Sequence, residues 1–442
     1  MARRVLVLTY YFPPSGGPGV QRVLKFAKYL PTCGWTPVVL TVEEGTYPAR
    51  DPSLWQDVPA SAEVHRTASW DPYQLYARLT GQSREEAVVQ GSVKGEETSF
   101  THILAQWVRA NVILPDARVG WVPFAVWRGW QLLADGGVDA ILTTGPPHST
   151  HLAGAALQAL TGTPWVADFR DPWTDINYYQ ELPHTRWAQW LDAALERLVL
   201  LRARAVTTVS PSWRDLLSRK VQKNGRSSRR FSVVQNGFDT DDIPRSPARP
   251  AADAFELTHV GSLYASRNPE ALWRALRRLL DMHDSMTLRV RLVGSVDPNV
   301  SRSLEAHGLM SITTHVPYVP HAEALTYMRQ AGLLVLSIES FPEANGMMTG
   351  KIYEYLASGR PVVGIGPPGG DAAALLRTTE GGRLFGQNEV AGLAHFIRDH
   401  YRAWERGNPF SGASSDALRP YRRQGQTERM AGVLDAVTAA AL

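Results

Sequence analysis

Short aliphatic and β-branched runs alternate along the chain with segments whose apolar positions recur every three to four residues. Runs at 4–10, 37–41, 138–143, 164–169, 205–209 and 231–234 read as strands, and helical patterns at 20–30, 151–160 and 186–204 separate most of them. Strands that are apolar on both sides, set between helices, predict a parallel sheet covered on both faces. From Asn236-Gly237 to about Ala254 the chain turns polar, and Asp239, Asp241, Asp242, Pro244, Pro247 and Pro250 mark a linker. The alternation then restarts. Strands are expected at 257–261, 288–294, 312–316, 333–338 and 361–365, and helices at 269–280, 321–330, 352–357 and 371–377, giving a second parallel sheet of similar size. Residues 45–120 fit neither period and read as a partly helical, partly flexible insertion in the first domain, with a polar stretch at 81–97.

Composition agrees with this organisation. A length of 442 residues suggests two or three domains, and 44% hydrophobic with 20% charged residues fits a globular chain. Cys33 is the only cysteine, which excludes a disulfide framework and a thiolate metal cage. Arg3 and Arg4 imitate the start of a secretory leader, but the apolar run after them is short and ends at Phe12-Pro13-Pro14. No stretch reads as a bilayer span, so a cytoplasmic protein is expected. Net charge is only +4, yet nine Arg and Lys face one acid, Asp215, between Arg202 and Arg230. With no nucleic-acid module beside it, this run points to an anionic membrane surface ahead of nucleic acid, or simply to a solvated face. Of the 14 tryptophans, 12 precede residue 214, an aromatic surface suited to a bulky or greasy acceptor, although core packing accounts for most of them equally well.

In open α/β sheets ligands bind beyond the carboxyl ends of the strands, so the segments after the strands carry the candidate chemistry. After the first strand comes Phe12-Pro-Pro-Ser-Gly16-Gly17-Pro-Gly19, leading into a helix. Gly16 and Gly17 allow close backbone approach, and a helix start offers amides to an anion. Arg22 stands where a dinucleotide fingerprint has its third glycine, so that motif is absent. After later strands come Gly145-Pro-Pro-His148-Ser-Thr-His151 and Asp168-Phe-Arg170-Asp171. Two carboxylates flanking an arginine can bind acceptor hydroxyls, donor sugar or phosphate, or can form a network that holds the loop. Asp168, Arg170 and Asp171 are the catalytic candidates, and His148 is an acceptor-side candidate.

The segment Gly350-Lys351-Ile-Tyr-Glu354-Tyr-Leu-Ala-Ser-Gly359-Arg-Pro361 resembles the donor-site signature of glycosyltransferase family 4 and its GT-B relatives. Lys351 and Glu354, at i and i+3, share a helix face. Val234-Gln-Asn236-Gly237-Phe238-Asp239 resembles the interdomain signature of that family. His259-Val-Gly261-Ser262-Leu-Tyr264 resembles the first strand and turn of its donor domain, with Arg267 where a phosphate-binding lysine usually sits. Val319-Pro320-His321 resembles the start of its base-proximal helix, and residues 427–441 its last helix. The pattern departs from the family at Gly346, where a glutamate is common, and at Ser262, where an arginine is usual.

The resemblance implies an α/β fold with two Rossmann-like, doubly wound domains facing across a cleft. It places an acceptor-binding domain at 1–243, a donor-binding domain at 254–405, and a C-terminal helix at 406–442 crossing back to the first domain. It implies a retaining, metal-independent glycosyltransferase of the hexosyltransferase type, with no cofactor and a nucleotide-diphosphate sugar as donor. The acceptor would be a saccharide or lipid-linked saccharide in surface polysaccharide or glycolipid synthesis, with attachment at the cytoplasmic membrane face. Lys351 would neutralise the diphosphate and Glu354 would hold the ribose, with Gly16, Gly17, Gly261, Ser262 and Arg267 completing the donor site. Asp239-Thr-Asp241 lies in the linker and is not read as a metal site. The rival readings are a catalytically weak nucleotide-sugar-binding partner of another transferase, and a sugar-nucleotide epimerase.

Overall fold

The computed structural model describes residues 3–47, 49–70, 100–222, 230–243, 253–283 and 285–440. Most of the expected insertion, including its polar stretch at 81–97, lies outside these residues, as do Pro244, Pro247, Pro250, Lys223, Arg226 and Arg229. Two compact units form, Met1–Gln235 with Arg423–Leu442, and Asn236–Arg422. The division falls at Gln235, ahead of the proline-bearing stretch, and residues 406–422 stay with the second unit.

The first unit is a seven-stranded parallel sheet of β1 (Arg3–Leu8), β2 (Trp35–Val42), β3 (Glu63–Thr67), β4 (Ala140–Gly145), β5 (Trp165–Phe169), β6 (Ala205–Thr208) and β7 (Phe231–Val233). Its order is β3-β2-β1-β4-β5-β6-β7, with Leu6 level with Val38 on one side and Ile141 on the other. The strand direction of winding reverses between β1 and β4. Side chains alternate across the pleat. Helix α2 (Phe100–Asn111) lies against α5 (Arg186–Arg202), while Leu6, Leu8, Leu40 and Ile141 pack with residues of α3 (Val122–Ala134), α4 (Ser149–Thr161), α5 and α6 (Pro211–Arg219). Val5, Val7, Val39 and Leu142 face α1 (Pro18–Tyr29) and the C-terminal helix Arg423–Ala439, which inserts Met430, Leu434 and Val437.

The second unit is a six-stranded parallel sheet of β8 (Phe255–Val260), β9 (Leu288–Val293), β10 (Thr313–Val316), β11 (Leu333–Ser337), β12 (Val362–Ile365) and β13 (Gly382–Phe385). Its order is β10-β9-β8-β11-β12-β13, so the winding reverses between β8 and β11. Flanking it are α7 (Glu270–Met282), α8 (Pro298–Ala306), α9 (His321–Gln330), α10 (Gly350–Ala357), α11 (Asp371–Thr378) and α12 (Val390–Glu405). Leu272, Leu276 and Leu279 of α7 and Leu393 and Ile397 of α12 cover Leu257, Val290, Val335 and Val363.

Sequence reading misses β3 and β13. Both are edge strands, where polar residues such as Glu63, Arg66 and Arg383 replace the continuous apolar run of an interior strand. Among the described residues of the basic run, Arg202, Arg204 and Arg219 are exposed, while three others are paired or hydrogen-bonded. Lys220 pairs with Asp175 and, at 2.6 Å, with Glu196; Arg214 pairs with Asp215; Arg230 donates to the carbonyls of Arg204 and Leu201. Asp239 accepts from the Asp241 amide at 3.1 Å, a local turn contact.

Truncating Leu434 removes an apolar side chain enclosed between the C-terminal helix and the sheet. Leu434→Ala should lower stability by about 2–5 kcal/mol, read from the urea midpoint of the transition that reports the first unit.

Candidate functional site

At the reversal between β8 and β11, the carboxyl end of β8 runs into Gly261, whose φ of 108° suits glycine. A Cβ there would lie 2.3 Å from the Lys351 Nζ, so the lysine lies directly over a backbone that only glycine permits. Lys351 occupies the first turn of α10, and Tyr355 fixes that turn. Its hydroxyl accepts from the Val260 amide at 2.9 Å and donates to the Val260 carbonyl, locking α10 to the end of β8. Burial, and then the nearby Arg267 guanidinium, push the Lys351 ammonium from its ordinary 10.5 down to about 8, while Glu354 pulls the other way. His259, near the end of β8, donates from Nδ1 to the Val335 carbonyl at 3.0 Å; burial, aided by the Lys351 charge, brings it to about 3, so it is neutral.

Arg267 follows in the same loop. Its carbonyl accepts from the Ser337 hydroxyl at 2.5 Å, and its guanidinium lies 3.8 Å from Glu339, two residues past the end of β11. Glu354, one turn beyond Lys351, meets His321 Nε2 at 3.1 Å. Gly261, Arg267, Lys351 and Glu354 are thus grouped as expected, with Ser262 next in the chain. Glu339, Tyr355 and His321 gather with them, in roles that sequence reading had not assigned. Glu339 was detectable as the first charge after the apolar run 333–338; the Tyr355 contact, spanning 95 residues, had no local signal. Gly346 is buried in a single turn after β11, with no carboxylate in its place.

In the first unit the structure corrects three assignments. Asp168 is fully enclosed and accepts from Arg22 Nε and Nη2 at 2.8 and 2.7 Å, from Thr144 at 3.0 Å and from Thr207 at 2.7 Å. With four donors on two oxygens and no exposed surface, it cannot touch a substrate. Although burial opposes it, Arg22 holds its carboxyl below the usual range. Arg170 donates to the carbonyls of Gly145 and Gly19, at 3.1 and 2.5 Å, and of Pro146, clamping the loops after β1 and β4. Both residues are therefore scaffold, and only half-buried Asp171 remains a catalytic candidate. The Gly16 amide donates to the Ala49 carbonyl at 2.8 Å and is not available to a phosphate, whereas Gly17 takes the positive φ that starts α1. His148 is buried and stacked on Trp173 at 5.2 Å, and neither ring nitrogen has a hydrogen-bond partner among the described residues. Burial, then the neighbouring His151, hold it well below its ordinary value, so it is a neutral imidazole.

Two doubly wound units, one with a cation poised over glycine at its winding reversal, define a two-domain α/β protein with a cationic corner at one sheet's carboxyl end. The family described as glycosyl transferase 4-like domain matches residues 16–237, and glycosyl transferases group 1 matches residues 254–402. The chain belongs to the GT-B glycosyltransferases resembling family 4. It is 26% identical over 223 residues to D-inositol 3-phosphate glycosyltransferase from Paenarthrobacter aurescens (strain TC1), a match covering 48% of this chain and 52% of that one; the chain thus spans about half the length of this curated relative. Among solved structures, trehalose 6-phosphate synthase from Burkholderia multivorans superposes with TM-score 0.62 at 12% identity, covering 100% of this chain and 98% of that one. Anabaena HepE in complex with UDP and glucose gives 0.55 at 14%, covering 99% and 97%.

Removing one partner of the buried pair leaves the other uncompensated, so Asp168→Asn should cost about 3–5 kcal/mol in denaturant unfolding. Because the folded-state carboxyl titrates low, this contribution is present at neutral pH and fades as pH falls through that depressed value. Asp171→Asn should leave the midpoint within about 0.5 kcal/mol. For Lys351 the sign is opposite to that of an ordinary paired lysine. Between about 8 and 10.5 the unfolded chain binds more protons than the folded one, so ligand-free stability rises with pH across that window, and Lys351→Met abolishes the rise.

Proposed function

We propose that this enzyme transfers a hexosyl group from a nucleotide-diphosphate sugar to an acceptor hydroxyl with retention, without a metal ion. The observation that carries the reading is the Lys351 ammonium held over Gly261 at the winding reversal of the second unit, with Arg267 beside it. Two cations in one desolvated site suit a diphosphate. As the bond from the anomeric carbon to the diphosphate oxygen lengthens, negative charge grows on that oxygen, and Lys351 and Arg267 stabilise it. The acceptor oxygen bonds to the same face of the anomeric carbon, and its proton passes to the departing diphosphate. Glu354, backed by His321, accepts from the ribose hydroxyls. The acceptor is a saccharide or lipid-linked saccharide, handled by the first unit, where half-buried Asp171 and neutral His148 are candidate contacts. The relative named for D-inositol 3-phosphate supports a polyhydroxylated acceptor. The cellular setting that fits is surface polysaccharide or glycolipid synthesis at the cytoplasmic membrane face. No helix among the described residues is long and apolar enough to cross a membrane, so attachment there would be peripheral.

A thermal-shift panel of UDP-, GDP-, ADP- and dTDP-sugars identifies the donor, because a bound ligand raises apparent stability. With that donor, transfer should persist in excess EDTA, and the product should keep the donor's anomeric configuration by NMR. Loss of activity that Mg²⁺ or Mn²⁺ restores would refute metal independence. Lys351→Ala should weaken nucleoside diphosphate binding by about 1.5–3 kcal/mol in calorimetry. In the wild type the affinity should fall as pH rises through about 8, where the free lysine loses its proton.

A further inference from the structure

Helix α5 is built inside out. Its only acids, Asp192 and Glu196, are buried: Glu196 accepts from Lys220 at 2.6 Å and from Thr174 at 2.7 Å, and Asp192 from the Trp173 indole at 3.3 Å. Its outward face instead carries Trp187, Trp190 and Leu198, which are 59%, 67% and 42% exposed. Their spacing of three and eight residues, with Leu191 and Ala194 between, places them on one stripe. The charges beside this stripe are all positive, Arg186, Arg197 and Arg202.

Helix α2 continues the pattern. It contains no acid, and Ile103, Leu104 and Trp107 are exposed. The two helices are joined end to start by Asn111, whose side chain donates to the Pro183 carbonyl at 3.0 Å and accepts from the Thr185 amide at 2.6 Å. Helix α3, which packs on α4, has no acid either, and it exposes a Trp127–Trp130 pair whose rings lie 5.7 Å apart.

We propose that the outward faces of α5 and α2 dock on an anionic lipid bilayer. Tryptophans interleaved with arginines, with every carboxylate of these helices turned inward, match an interface that is apolar below and negative above. A protein partner of mixed charge would gain nothing from the absence of acids, whereas an anionic surface attracts each arginine and meets no repulsion. This rests on the reading that the acceptor is lipid-linked, and it centres the membrane contact on the tryptophan-bearing helices, with Arg202 the one residue shared with the 202–230 run.

The test is sedimentation of the full chain with vesicles of phosphatidylcholine alone or mixed with phosphatidylglycerol. Binding should require the anionic lipid, fall with added salt, and shift tryptophan emission to the blue. Neutralising Arg186 and Arg202 with glutamine should weaken partition about thirtyfold. Trp187→Ser with Trp190→Ser should also release the protein, while Met282→Ser with Met310→Ser, exposed apolar positions of the second unit, should not. These sites are solvent-exposed, so unchanged melting certifies the fold of each variant. Indifference to anionic vesicles at low salt, or equal binding by the tryptophan variant, overturns the proposal. So does a stable dimer by light scattering that the tryptophan variant dissociates. Transfer to a soluble acceptor is measured in parallel: efficient transfer to it with vesicle binding intact would refute the lipid-linked reading and leave the docking face standing.

Discussion

The first unit is organised around one enclosed carboxylate. Asp168 lies near the carboxyl end of β5, in the middle of the sheet, and its two oxygens collect donors from α1, β4 and β6. Such a charge is tolerable inside a protein only when its partner is equally well satisfied. Arg22 meets that condition, because its remaining N–H groups reach the carbonyls of Val234 and Gln235, where the chain leaves the unit. The pair therefore fixes the position of α1 against the sheet and the exit of the chain in one network. Two residues later, Arg170 joins the loops after β1 and β4 through three backbone carbonyls. The carboxyl edge of this sheet is thus a rigid floor, and that rigidity uses the charges that a motif reading would assign to chemistry.

The second unit arranges its charges differently. Burial and then the neighbouring Arg267 guanidinium weaken the hold of Lys351 on its proton, and Glu354 only partly offsets this. Cations gathered in a desolvated corner, with Glu339 at 3.8 Å and Glu354 only partly offsetting their charge, form a site suited to an anion. Gly261 is the steric counterpart of that electrostatic arrangement: the space a Cβ would need is taken by the lysine amine. Tyr355, tied to both polar groups of Val260, keeps the helix start from drifting away from the strand end.

These two situations explain what the sequence could reveal. Interior strands such as β4, β5 and β11 are legible because both faces are buried and the runs are continuously apolar. The edge strands β3 and β13 are not, because one side of each meets solvent. The grouping of Lys351, Glu354 and Gly261 is legible because a lysine and a glutamate share one helix turn and the glycine ends a strand. By contrast, Asp168-Phe-Arg170-Asp171 presents the same residue types to a reader of sequence whether its charges face a substrate or one another. Only the distant partners decide, and Arg22 lies 146 positions away from Asp168.

The tryptophans pose the same problem in apolar form. Counting them cannot separate core from surface, and packing does claim Trp35, Trp121, Trp165, Trp173 and Trp213, each almost fully buried. The others divide by the company they keep. Around α5 the usual logic of an amphipathic helix would turn Asp192 and Glu196 outward and the indoles inward. The local chemistry reverses that logic: Lys220, Thr174 and the Trp173 indole lie beneath the helix and require acceptors, so the acids must face in. Once they do, the 3.6-residue period leaves Trp187, Trp190 and Leu198 on the opposite side. The exposed aromatic stripe is therefore bound up with the buried polar network, and because that network gathers the helix's negative charges inside, the surface it leaves is both apolar and positive.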